Sequence, residues 1–141
     1  MNEQEMRQGM ATLEAYKSQL EAMNEQGQLL QMSLEDYSRA RDTLNAISKG
    51  KEGDEVLMPV GGSSYVYATI ARNDSVLVGI GTGISMNKPI SEAIATVGGR
   101  IEELMDALKK VGESRTVIDA KMQQLSQILQ REYQKMQQGP K

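Results

Sequence analysis

Few residues in this 141-residue chain could do chemistry. The run Gly79-Ile80-Gly81-Thr82-Gly83 follows a β-rich stretch and precedes a helical one, the context in which a dinucleotide phosphate can be cradled. Its spacing is G-x-G-x-G rather than G-x-G-x-x-G, and no parallel βαβ unit can follow, so these glycines are expected to serve turns and bulges. There is no His and no Cys, which removes the usual zinc sites, Ser-His and Cys-His catalysis, disulfides and thiol redox chemistry together. Carboxylates such as Glu102, Glu103 and Asp106 fall on helix faces outside the apolar seam and are expected to be solvated. The expectation is a protein without catalytic, metal-binding or cofactor-binding residues, needing no cofactor and not an enzyme.

Composition leads to an architecture with narrow interiors. Apolar residues make up 39% of the chain and aromatics 4%, with no Phe or Trp to fill a thick core. Ten Met residues supply flexible, polarizable apolar surface instead. The 16 basic and 19 acidic residues are interspersed, so no basic stripe tracks a nucleic-acid backbone. No apolar run approaches membrane-spanning length and the first residues form no signal-like apolar stretch. A soluble, cytoplasmic protein with neither nucleic-acid nor membrane partners is the expectation, and the missing Cys suits a reducing compartment.

The elements that would carry any site are read from periodicity. One domain over residues 1–141 is expected, in three parts: an N-terminal helix over about 3–49, two β-hairpins over about 55–88, and a C-terminal helix over about 89–138. The fold class is mostly α with a small β part: a long antiparallel coiled-coil hairpin whose helices are joined by the two β-hairpins. In the first helix, heptad a and d positions fall on Met6, Gly9, Leu13, Tyr16, Leu20, Met23, Gly27, Leu30, Leu34, Tyr37, Arg41 and Leu44. In the second they fall on Ile94, Val97, Ile101, Leu104, Leu108, Val111, Arg115, Ile118, Met122, Leu125, Leu129, Glu132 and Met136.

Antiparallel pairing sets an a residue opposite a d residue, so facing residues should have numbers with a constant sum. Leu44 with Ile94, Tyr37 with Ile101, Leu30 with Leu108, Leu20 with Ile118 and Leu13 with Leu125 all give 138. A parallel homodimer would satisfy each helix separately but leaves the matching lengths unexplained. Arg41 and Arg115 at a positions are expected to snorkel or pair, and so to hold the register. Gly27 removes a knob from mid-seam. Gly98 and Gly99 weaken the second helix by about 1 kcal/mol each relative to Ala, marking either close approach of the strand block or a hinge.

The middle of the chain changes character. Val56-Leu57-Met58-Pro59-Val60, Tyr65-Val66-Tyr67-Ala68-Thr69-Ile70, Ser75-Val76-Leu77-Val78-Gly79-Ile80 and Ile84-Ser85-Met86 read as four short strands around glycine turns. They are apolar on both faces, and a block this small can cover one face at most. Val56, Leu57, Val60, Tyr65, Val66, Tyr67, Ile70, Val76, Leu77, Val78 and Ile80 are therefore the candidate oligomerisation residues. The free helix ends carry Met6, Met10, Leu13, Leu125, Ile128, Leu129, Tyr133 and Met136, a candidate surface for apolar segments of other proteins. These last turns are expected to fray, since nothing covers them.

Helix, two hairpins, helix, with Val56-Leu57-Met58-Pro59-Val60-Gly61-Gly62-Ser63-Ser64-Tyr65-Val66-Tyr67 and Val76-Leu77-Val78-Gly79-Ile80-Gly81-Thr82-Gly83 in between, resembles the alpha class of prefoldin subunits, of archaeal type. The resemblance covers essentially the whole chain, with the strand block as its specific part. It implies a hexamer of two alpha and four beta subunits built on a β-barrel platform. It also implies ATP-independent capture of non-native client proteins at the coiled-coil tips and delivery to a group II chaperonin. Polar residues at Asn2 to Glu5 and Gln134 to Gln138 depart from a greasy tip, leaving the alpha tips less grip than the beta tips. Two other functions fit parts of the pattern: a coiled-coil scaffold or tether joining specific folded partners, and a nucleotide-binding enzyme using the glycine run.

Overall fold

The computed structural model describes residues 1–139. Two long helices bracket two antiparallel hairpins in the order α1 (Glu3–Lys49), β1 (Glu55–Gly61), β2 (Ser64–Thr69), β3 (Ser75–Gly81), β4 (Ile84–Pro89) and α2 (Ile90–Gln137). α1 opens on a reciprocal cap: Glu5 N–H donates to Asn2 Oδ1 at 2.8 Å, and Asn2 N–H donates to Glu5 Oε2 at 3.2 Å. Two of the first turn's orphan donors are thereby satisfied, and Glu3 and Glu5 add charge of the favourable sign. This cap starts α1 at Glu3, and α2 continues to Gln137. Lys49 sits in the last turn of α1, where the macrodipole favours a cation.

The chain forms two compact units. The first joins residues 1–31 to residues 106–139, carried by α1 and by α2 as far as Gln137. Here the helices approach through positions whose numbers sum to 138: a Cβ on Gly9 would meet Leu129, and one on Gly27 would meet Val111. Among the described residues of this unit, Leu129 is the buried hydrophobic side chain. Arg115 projects to solvent from its a position beside Leu20 and Asn24, leaving only its stem along the seam.

The second unit, Met32–Met105, holds the hairpins with the adjoining parts of both helices. Its interior is Ile70, Ile90, Ala93, Ile101 and Leu104, each at most 6% exposed. Burying each large aliphatic side chain stabilises by about 1.5–3 kcal/mol. Arg100 of α2 lies 6.0 Å from the Tyr37 ring of α1 and pairs with Glu103 at 3.0 Å, tying the helices side by side. Arg41 stays half-exposed, 3.9 Å from Asp42.

β1 pairs with β2 and β3 with β4, each as a separate two-stranded sheet. Three expectations need correction. Pro89 does not open the second helix; it closes β4 opposite Ser75, where a missing N–H costs nothing, and α2 begins at Ile90. Ile70 lies beyond β2 and is buried, its Cδ1 only 2.8 Å from where a Gly50 Cβ would stand, so it belongs to this chain's own core and is closed to a partner. Gly98 and Gly99 sit within unbroken helix, and a Cβ at either would meet nothing, so close approach of the strand block does not account for them.

Candidate functional site

The helix ends of the first unit form a groove of about 470 Å³ lined by Met6, Met10, Leu13, Ser126, Leu129, Gln130, Tyr133 and Gln134. No charged side chain lines it. Its position follows from the heptads: Met6, Leu13 and Leu129 are seam residues, while Met10 and Tyr133 stand just off the seam and form the lips. Met10 is 51% exposed and Tyr133 56%, whereas Leu129 is 4% exposed and forms the floor. The Tyr133 hydroxyl accepts a 3.0 Å hydrogen bond from Gln137 Nε2, holding the ring's polar end and leaving its faces free.

The eight helix-end candidates thus divide. Met6, Met10, Leu13, Leu129 and Tyr133 meet in one groove. Leu125 is half-buried outside its lining, and Ile128 and Met136 are exposed elsewhere on α2. Beside the groove the Met1 amino group pairs with Glu132 at 2.9 Å. That hydrogen bond holds the Glu132 carboxyl below its ordinary pKa, outweighing the opposing effect of desolvation.

The hairpins form the second surface. Paired residues in an antiparallel ladder share a face. In the first hairpin Val56, Met58 and Ala68 lie half-buried on one face, while Leu57, Tyr65 and Tyr67 stand exposed on the other. In the second, Val76, Val78 and Lys88 are half-buried and Leu77 is 71% exposed. Val60, Val66 and Ile80 are also exposed. Ile84 and Met86 join this open apolar surface at 58% and 49% exposure, although sequence reasoning passed over them as site residues. The signal was the alternation Ile84-Ser85-Met86-Asn87, which marks a longer fourth strand than three apolar-looking residues suggest.

The seam candidates Leu20, Leu30, Leu34, Leu44, Ile94, Leu108 and Ile118 are half-buried, and Ile101 and Leu104 fully buried. The glycine run lies in an antiparallel hairpin: Gly79 pairs with Ser85, Gly81 with Ile84, and Thr82-Gly83 makes the turn. Glu103 pairs with Arg100 and Asp106 with Lys110, each at 3.0 Å on the exposed helix surface. Among the described residues no His, Cys, Asp and Glu group could hold a metal ion, and no helix is long and apolar enough to cross a membrane.

Paired helices joined by two hairpins define a class of coiled-coil subunits, here with apolar strand surface left exposed. Residues 16–135 match the Prefoldin family, described as prefoldin subunit, and the chain belongs to that family. It is 32% identical over 136 residues to prefoldin subunit alpha of Methanocorpusculum labreanum, covering 96% of this chain and 92% of that protein. The alpha subunit of Methanosarcina barkeri is 32% identical over 142 residues, covering 98% and 95%. Among solved structures, a chain of filamentous PFD from Methanocaldococcus jannaschii aligns with a TM-score of 0.63 at 24% identity, over 82% of this chain and 95% of that one. The prefoldin beta subunit from Thermococcus strain KS-1 aligns with a TM-score of 0.60 at 19% identity, over 90% of each chain. Prefoldins are a family of non-enzymatic chaperones, and membership supports a chaperone-subunit role for this chain.

Proposed function

We propose that this chain is a subunit of an ATP-independent holdase that grips apolar segments of non-native proteins at its helix ends and passes them to a group II chaperonin in the cytoplasm. Two copies would join four beta-type subunits through the hairpins. The observation that carries the reading is the uncharged groove with Met10 and Tyr133 half-exposed at its lips. An apolar side chain entering it gains about 1.5–3 kcal/mol, and flexible Met side chains accept many shapes without reading sequence. One such groove binds weakly, and several on one complex raise the avidity without slowing release from any single site.

The deciding experiment dilutes a denatured client protein into buffer with the assembled complex and follows its light scattering. Suppressed aggregation without added nucleotide is the expected result. Undiminished aggregation overturns the reading, and stoichiometric binding to one folded protein with no preference for unfolded ones would favour a tether instead. Hand-off is read by adding a group II chaperonin and measuring client transfer.

A further inference from the structure

The two hairpins repeat each other at an interval of twenty residues. Glu55 pairs with Thr69 as Ser75 pairs with Pro89, and each ladder shifts register at the same place, Pro59/Gly61 and Gly79/Gly81. Each turn carries three successive residues at positive φ, Gly61-Gly62-Ser63 and Gly81-Thr82-Gly83. Each hairpin is closed by a buried isoleucine: the N–H of Ile70 donates to the Asp54 carbonyl at 2.9 Å, and that of Ile90 to the Asp74 carbonyl at 3.0 Å. The segments Asp54 to Ile70 and Asp74 to Ile90 share Asp, Val, Leu, Gly and Ile at equivalent positions.

The backbone frames match while the open faces differ. Beside its exposed leucine, Leu57, the first hairpin displays Tyr65 and Tyr67, which are 59% and 76% exposed. The equivalent positions in the second hairpin, beside Leu77, are Ser85 and Asn87, also exposed. Both sheets have two strands, leaving an unpaired edge on either side. A two-stranded sheet is marginal alone and is completed by further strands. Charge is nearly absent from these strands, confined to Glu55 and Lys88 at the ends remote from the turns, so the surface that fits them is an uncharged hairpin.

Resting on the assembly reading above, we infer that the hairpins are copies of one docking frame whose open faces have diverged. The first is the strong anchor and the second the weaker contact, both for an uncharged β-hairpin of a partner subunit. Exposed tyrosines are the side chains that most often dominate an interface, because they add large contact area at low entropic cost.

The test exchanges the open faces. Tyr65→Ser with Tyr67→Asn gives the first hairpin the face of the second, and Ser85→Tyr with Asn87→Tyr does the reverse. Each full-length variant is titrated with the beta-type subunit of the same organism, and the complexes are weighed by native mass spectrometry. The first pair is expected to weaken binding about tenfold or more, and the second to leave it as tight or tighter. Tyr67→Phe keeps the ring and should bind as the parent does, while circular dichroism checks that the helices persist in every variant. A Tyr65/Tyr67 variant that binds undiminished, or a Ser85/Asn87 variant weakened as much, overturns the inference alone. A parent chain that binds no beta-type subunit overturns the assembly reading and this inference with it.

Discussion

Leu129 fills the notch that Gly9 leaves on the facing helix: a Cβ on Gly9 would stand 2.7 Å from Leu129 Cδ2. At Gly27 the facing Val111 leaves ordinary contact distance, 3.9 Å. The two glycines therefore respond oppositely to Ala. Gly27→Ala gains about 1 kcal/mol of helix propensity and a methyl contact, and should raise the unfolding midpoint. Gly9→Ala gains the same propensity but displaces Leu129, a buried side chain of that unit, and should leave the midpoint unchanged or lower. Thermal unfolding by circular dichroism separates them, and equal gains would contradict the close approach.

Thr82 adopts φ 44 in the second turn, a left-handed conformation that burdens a β-branched residue. Two-residue hairpin loops of this kind favour Asn-Gly. Thr82→Asn should therefore stabilise the hairpin by about 1 kcal/mol while leaving the strand faces alone. Hydrogen exchange of the Val78 and Met86 amides measures it, with slower exchange expected.

Asn73 links the segment between the hairpins to the end of α1: its Nδ2 donates to the Gly50 carbonyl at 2.8 Å, in a part-buried position. Asn73→Ala removes that bond and leaves a helix-terminal carbonyl with one partner fewer, at a cost of about 1–3 kcal/mol. Asn73→Asp is expected to destabilise as well, because a carboxylate cannot donate to a carbonyl. Denaturant unfolding checks both.

Met10 and Tyr133 line the helix-end groove and contribute little to the chain's own burial. Met10→Gln with Tyr133→Gln should weaken client holding roughly ten- to a hundredfold, from about 1.5–3 kcal/mol of lost apolar contact, with helicity unchanged. Aggregation assays across a range of chaperone concentrations read the shift.

Glu132 has a folded-state pKa depressed chiefly by its hydrogen bond from the Met1 amino group. A depressed carboxylate adds stability above its unfolded pKa and loses it as pH falls through the folded value. The helix ends should therefore loosen in the acid range, below about pH 4. Glu132→Gln should abolish that pH dependence. Hydrogen exchange at Met6 and Arg7, compared across pH after correction for the intrinsic rate, tests it.

Sequence by itself determined the order helix, two hairpins, helix, because burial that repeats every seven residues and glycine-bounded β-branched runs are local properties. The helix cap was not legible there, because Asn2 with Glu5 reads as mere polarity until the two hydrogen bonds are seen. Sequence could not sort the apolar residues of either surface. Ile70 resembles the other strand residues in type, and only the approach of Gly50 puts it inside. Met10 and Met136 look alike on paper, yet one lines a groove and the other stands outside it, because groove membership depends on side-chain direction across two helices. The divergence of the hairpins was hidden for the same reason. Which residues of a strand share a face is set by the bulge and the turn, and these are decided only when the ladder closes.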